Sequence, residues 1–279
     1  MKKLMFLAFF CLLSGLLQAD KPIFMLLTHA RATATAFEKV MRTQEGLVVL
    51  HAPFIVPYLV QKYGADHSFT TPLVNPPKSL HEVQENIFHL AKTSPVFFKE
   101  SAYLLIDYLR ANPTLYDNTQ VKVAFLVRDP AKSILSFHRK MPTVHEAIVG
   151  HRQLWEAFIL LKERLGITPL VIDSDEFLKD PLFILNQLGK EWGLQFDEKN
   201  LSWESGYADD WHLKEWYDAV ALSTKLGSYR GDVTRELDGT PKYLEVSDAD
   251  ERARLQSLYR SQIDYYNKLL EFAIKVPVQ

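Results

Sequence analysis

Five short apolar runs punctuate the chain and set its first pattern. They are Ile23 to Leu27, Leu47 to His51, Pro95 to Lys99, a run from Val121 that ends in Arg128-Asp129-Pro130, and Thr168 to Ile172. The first is uncharged and rich in β-favouring residues, which suits a strand buried on both faces of a parallel sheet. Helical spacing fills the intervals. From about Thr33, Phe37, Val40 and Met41 recur on one stripe, with Glu38 near the positive end of the helix dipole. Ser79-Leu80-His81-Glu82 forms a capping box opening a helix to about Lys92. Thr143 opens a long helix to about Leu165 whose apolar face carries Ile148, Trp155, Phe158, Ile159 and Leu165. Asp180-Pro181 caps another, which runs to Trp192 and stops at Gly193. A last helix from about Ala249 to Ile274 is assigned to packing outside the sheet. This alternation predicts an α/β fold: three α/β/α layers around a five-stranded, mostly parallel sheet.

Residues 1–19 read as an export signal rather than as part of that fold. Lys2 and Lys3 precede an uncharged, mostly apolar run from Leu4 to Leu17, and Ala19 is a fitting cleavage point. Fourteen apolar residues are short for a membrane span, which needs about 20, although an uncleaved anchor or a buried strand is the other reading. The expectation is an exported protein, periplasmic or secreted, with no stable membrane anchor after cleavage. If residues 1–19 are not a leader, the protein is cytoplasmic. Residues 20–279 then form one domain, with no repeat, low-complexity segment or Pro/Gly linker to divide them.

Charge changes the picture by exclusion. Lys and Arg total 32 against 34 Asp and Glu, and without Lys2 and Lys3 the balance is 30 against 34, or −4, so nothing marks a nucleic-acid binder. Cys11, the only cysteine, lies inside the leader, so the mature chain has no disulfide or thiol chemistry. His81 and His89 stand eight residues apart on one helix, too far for joint metal ligation. His145-Glu146 lacks the second His of a zinc-protease motif.

Candidate chemistry lies where apolar runs meet helices. The first strand passes through a tight turn carrying Arg31 and the hydroxyls of Thr28, Thr33 and Thr35, with small residues at Ala30, Ala32, Ala34 and Ala36. Strand, turn and helix present free N–H groups to an anion, and Arg with hydroxyls would hold a phosphate or sulfonate. A well-packed crossover is the plain alternative, and no Gly-Lys-Ser/Thr makes this a nucleotide-triphosphatase loop. In the second segment Ser136 lies eight residues after Arg128, placing an Arg at a strand end and a Ser two turns into the next helix. Both fit one phosphate at the same sheet edge.

These two segments resemble the sulfotransferase family. Its signature is a first-strand loop with a basic residue and hydroxyls, then a later Arg-Asp/Asn-Pro followed by Ser at this spacing. The likeness runs from about residue 22 to 195 and is nearest to a bacterial branch with a His-Pro-Arg-Ser-x-Ser-Thr-Ala-Phe loop, against which this chain reads His29-Ala30-Arg31-Ala32-Thr33-Ala34-Thr35-Ala36-Phe37. Hydroxyls are missing at Ala32 and Ala34. The resemblance implies a nucleotide-kinase type of fold and 3′-phosphoadenylyl sulfate as co-substrate, without a metal. Arg31, Thr33 and Thr35 would hold its 5′-phosphosulfate. Arg128 and Ser136 would bind its 3′-phosphate, and Arg230 would reach it from the late loop Gly227-Ser228-Tyr229-Arg230-Gly231.

The resemblance also places Lys99 at the third strand's end, beside the transferring sulfonate. In cytosolic members a His two positions later is the base, but here that residue is Ser101. A related branch has His-Glu-Pro-Phe where this chain has His51-Ala52-Pro53-Phe54, so the strand-end acid is also missing. Two candidate bases remain: Glu100, which is otherwise a cap and salt-bridge partner, and His51, which is otherwise a structural hydrogen-bonder. The segment between about 54 and 78 would wall a pocket for a small-molecule or glycan acceptor. The implied activity is sulfonate transfer to a hydroxyl or amine. An exported, catalytically inactive binding protein on the same scaffold is the alternative. A phosphate-transfer enzyme fits less well, without Gly-Lys-Ser/Thr or a paired-carboxylate Mg²⁺ site.

Overall fold

The first apolar run forms β1 (Ile23–Thr28), and all six of its residues are buried. A computed structural model describes residues 20–63, 77–117, 120–141, 144–212, 214–228 and 231–277. After β1 come α1 (Ala34–Arg42), β2 (Val48–His51), α2 (Ile55–Tyr63), α3 (Leu80–Ala91), β3 (Val96–Ser101) and α4 (Ala102–Ala111). The chain continues through β4 (Val121–Val127), α5 (Pro130–His138), α6 (Glu146–Val149), α7 (His151–Leu165), β5 (Leu170–Asp173), α8 (Ser174–Lys179) and α9 (Pro181–Trp192). After an irregular stretch with a short α10 (Asp218–Ala221), α11 (Ala249–Leu270) ends the helical structure.

The five strands make one sheet in the order β2-β3-β1-β4-β5, with every pairing parallel. This puts β1 at the centre, and its carboxyl end between those of β3 and β4, with Thr28 level with Ser101 on one side and Leu126 on the other. Side chains alternate across the sheet because the strand period is two. Ile23, Met25, Leu27, Phe98 and Phe125 face a core completed by α3, α4 and α7. Phe24, Leu26, Phe97 and Leu126 face a second core under α1, α8 and α9, where Phe37, Phe177 and Trp192 pack. The three-layer α/β/α arrangement expected from the sequence is therefore the observed one.

Local caps follow the sequence signals. Ser79 accepts from the Glu82 amide at 3.1 Å, and Asp180 from that of Phe183 at 3.1 Å. Gly193 then ends α9 with φ 74°, a left-handed conformation that glycine adopts without strain. Two expectations need correction. The long helix expected from Thr143 is broken: Gly150, at φ 77°, separates α6 from α7, and Thr143 itself lies outside the described residues. The last helix stops at Leu270, after which Ala273 and Ile274 run along β5 and the Ile274 amide donates to Val171 O at 2.9 Å. Nor does α11 lie only against the sheet, since Leu255, Leu258 and Tyr259 pack with Ile134 and Leu135 of α5. No helix of the described residues is long and apolar enough to cross a membrane.

Candidate active site

In a parallel sheet the loops at the carboxyl ends of the strands line the ligand crevice, and here they surround a cleft of about 1170 Å³. Its floor is the turn from Thr28 to α1. Thr28 Oγ1 donates to Leu126 O at 3.0 Å, and Ser174 Oγ to Ala32 O at 2.6 Å, so β4 and the start of α8 both hold the turn. Arg31 and Thr33 adopt left-handed φ angles of 63° and 71° without being glycine. This bend brings the first turn of α1, where helix geometry leaves amides without intrahelical partners although that of Ala36 donates to Thr33 O at 3.0 Å, to the cleft lined by Thr33 and Thr35.

The structure brings Arg31, Arg128 and Ser136 together. Arg31 Nε donates to Ser136 Oγ at 3.1 Å, Arg31 Nη1 to Trp216 O at 3.2 Å, and Arg128 Nη1 to Arg31 O at 3.1 Å. Burial and then the neighbouring Arg128 guanidinium lower the pKa of Arg31, a repulsion that an anion between the two cations would relieve.

Two buried histidines fix Arg128 at its backbone. The Arg128 amide donates to His29 Nε2 at 3.0 Å, and His151 Nε2 donates to Arg128 O at 2.7 Å. His29 Nδ1 donates to Ala30 O at 3.0 Å, which fixes its tautomer, and the two rings lie against each other, tilted by 37° with centroids 3.9 Å apart. Burial, reinforced by His151, pushes His29 well below the usual imidazole range, and burial pushes His151 to about 4, so both are neutral near pH 7. Next to this clamp, Asp129 caps α5 by accepting from the Ala131 amide at 2.8 Å and pairs with Arg235 from the late segment.

Across β1, Lys99 lies at the end of β3 on the cleft wall, nearly buried. Its Nζ is 3.4 Å from Glu38 Oε2 and 5.8 Å from the centre of the Tyr217 ring. His51 is its neighbour on β2, in register with it. His51 Nδ1 donates to Glu38 Oε2 at 2.6 Å, while Nε2 has no partner among the described residues. The imidazole is buried behind Tyr217, edge-on at 4.6 Å, and does not line the cleft. Burial and then Lys99 lower its pKa to about 4, with Glu38 opposing.

Glu100 is not brought to Lys99. Strand alternation turns it to the opposite face, where its carboxylate accepts from the Phe54 amide at 2.8 Å and the Ser101 amide at 2.9 Å, outside the cleft lining. Burial lifts its pKa to about 7. Arg230 lies outside the described residues, although Gly227, Ser228 and Gly231 of its loop line the cleft.

Sequence reasoning missed the role of Glu38, which it treated as a dipole charge. The available signal was a carboxylate in the same short stretch as the apolar Phe37, Val40 and Met41. Nothing local marked His151 or Trp211, whose partners are remote in sequence. Among the described residues no group of three or more His, Cys, Asp or Glu is placed to hold a metal ion.

Solved structures similar to this chain include the sulfotransferase domain from the Synechococcus PCC 7002 olefin synthase, at 17% identity over 92% of this chain and 96% of that one, TM-score 0.45. The sulfotransferase from Alicyclobacillus acidocaldarius is similar at 11% identity over 91% and 97%, TM-score 0.48. Mouse sulfotransferase SULT7A1 complexed with PAP is similar at 10% identity over 93% of each chain, TM-score 0.46. No curated protein sequence matches. A family model described as a sulfotransferase domain matches residues 25–237, well over half of the chain and all five strand-end loops of the cleft. The chain belongs to the sulfotransferase domain family.

Proposed function

We propose that the protein transfers a sulfonate from 3′-phosphoadenylyl sulfate to a hydroxyl or amine of a small-molecule or glycan acceptor. The observation that carries this reading is the convergence of Arg31, Arg128 and Ser136 on one side of the cleft with Lys99 on the other. Sulfonyl transfer moves negative charge onto the leaving phosphate, and cations fixed in a partly dry cleft stabilise that charge more than water does. In this reading Arg128 and Ser136 bind the 3′-phosphate, Arg31 and the Thr33–Thr35 turn take the 5′-phosphosulfate, and Lys99 faces the oxygen that leaves sulfur.

Of the two candidate bases, His51 stands on the same side of the sheet as Lys99 and keeps an unused ring nitrogen, whereas Glu100 faces away. His51 is therefore the better placed of the two for the base role, although it does not itself line the cleft. Tyr217, which lines the cleft, is the group between it and an acceptor.

Calorimetric titration with 3′-phosphoadenosine 5′-phosphate, the reaction product, tests the donor site. Micromolar binding is expected, with Arg128→Ala weakening it about tenfold or more through the loss of a charge-assisted contact. A folded protein that does not bind the product overturns this reading and puts the inactive binding protein, consistent with the lost hydroxyls at Ala32 and Ala34, in its place. We also read residues 1–19 as the leader of an exported enzyme. N-terminal sequencing of secreted or periplasmic material is expected to begin at Asp20, and intact Met1 in a cytoplasmic fraction would refute export.

A further inference from the structure

A carboxylate taken fully out of water costs several kcal/mol unless it is well partnered. Glu38 is 0% exposed. Its Oε1 accepts from Trp211 Nε1 at 2.7 Å and Arg42 Nε at 2.9 Å; its Oε2 accepts from His51 Nδ1 at 2.6 Å and lies 3.4 Å from Lys99 Nζ. Arg42 alone, one helical turn away, would have satisfied this charge at the surface of α1. Burial instead gathers the ends of β2 and β3 and the late segment around one anion. Arg42 Nη2 also grips Asp210 at 2.7 and 2.9 Å, and Asp210 Oδ2 accepts from the His51 amide at 2.9 Å.

The consequence for chemistry lies in the two groups on Oε2. An ionised carboxylate accepts only, so the short contact to His51 puts the ring proton on Nδ1 and leaves the lone pair on Nε2. The same oxygen holds the Lys99 ammonium against the cleft wall rather than leaving a four-carbon stem to wander. Burial alone would raise the pKa of Glu38, but His51, Lys99 and Arg42 together hold it well below the usual carboxylate range, so it stays charged. The acid missing from the strand end at Ala52 has a spatial counterpart here, behind His51 instead of after it.

We propose that Glu38 is a positioning residue for sulfonate transfer, one buried carboxylate that sets both the tautomer of His51 and the place of Lys99. The inference rests on the sulfonate-transfer reading above. Its rival is a purely architectural role, in which Glu38 only anchors the late segment through Trp211 and Arg42.

A double-mutant cycle separates the two, with water as the acceptor so that no natural acceptor need be known. Water oxygen attacks sulfur, the sulfur–oxygen bond to phosphate breaks with its electron pair on the departing 3′-phosphoadenosine 5′-phosphate, and sulfate and a proton are released. Turnover of the donor and calorimetric binding of the product are measured for the wild type, Glu38→Gln, Lys99→Met and the double variant. Glu38→Gln is expected to slow turnover by about tenfold, within the range of couplings between contacting residues, and to leave product affinity unchanged. That loss is expected to shrink in the Lys99→Met background, where only the part that acts through His51 remains.

An equal loss in both backgrounds, or a matching loss of product affinity, overturns the inference in favour of the architectural role. If Glu38→Gln does not fold, Glu38→Asp keeps the charge but withdraws it by one methylene, and the same cycle separates the two roles by the same outcomes. A wild type that binds no product refutes the sulfonate-transfer reading itself, and the inference falls with it. One that binds product but turns over no donor refutes the inference and reduces the sulfonate-transfer reading to donor binding.

Discussion

Lys99→Met is expected to lower the rate constant for donor turnover by about 10²–10³-fold, the usual cost of removing one fixed donor from developing transition-state charge, while changing product affinity little. The reasoning is differential. In the bound donor the bridging oxygen carries little charge, and in the transition state it carries much more, so the ammonium contributes chiefly as the bond breaks. Methionine keeps most of the apolar stem and removes only the ammonium, with its contacts to Glu38 and the Tyr217 ring, so the loss reports charge. Single-turnover kinetics on saturated enzyme, alongside calorimetry, make the comparison. A Lys99→Met protein with wild-type turnover would remove Lys99 from the chemistry. A large fall in product affinity would make it a binding contact instead.

The second large effect concerns stability and pH, and comes from Glu100. Its pKa is near 4.5 in the unfolded chain and about 7 in the fold, where burial disfavours the charge more than the Phe54 and Ser101 amides favour it. The native state therefore holds the proton over a window in which the unfolded chain has lost it. Stability from this group is fully present below about pH 4.5 and is lost as pH rises through 7, an order-of-magnitude change of about 3 kcal/mol. Glu38 and the buried, neutral His29, His51 and His151 slope the other way, so the clean quantity is the difference between the wild type and Glu100→Gln. Denaturant unfolding from pH 4.5 to 7.5 is expected to shift that difference by about 3 kcal/mol in favour of the glutamine variant. The amide's imperfect match to two N–H donors displaces the line without changing its slope. A flat difference would mean that Glu100 is ionised throughout.

Much of the fold was legible because its signals are local. A two-face-buried strand needs an unbroken apolar run, and Ile23 to Leu27 is one. A helix that starts at Asp180-Pro181 and stops at Gly193 carries both boundaries in its residue types. Arg31, Arg128 and Ser136 were legible as a set because each sits at a fixed offset from a strand end, and parallel strands bring such ends to one edge. What failed was long-range or depended on facing. Glu100 and Lys99 are adjacent in sequence, and only the register of β3 shows that they point to opposite sides of the sheet. Glu38 looks like a first-turn charge until Trp211, 173 positions away, is found donating to it. The late segment has no helical or strand period, so its contribution of Trp216 and Tyr217 to the cleft was invisible in the pattern.

The turn after β1 reaches left-handed backbone twice without glycine, at Arg31 and Thr33. Such residues cost on the order of 1 kcal/mol or more each relative to ordinary conformations, and the folded protein carries that cost before any ligand arrives. Ser174 and Arg128 hold the turn in that shape through the carbonyls of Ala32 and Arg31. An anion entering it therefore has little chain entropy left to remove, whereas a glycine-built cradle must be stilled at each binding event. Compliance is given up for readiness: this side of the cleft is cast for one rigid shape of anion, and any variety in what the protein handles has to be accommodated across the sheet, beyond Lys99.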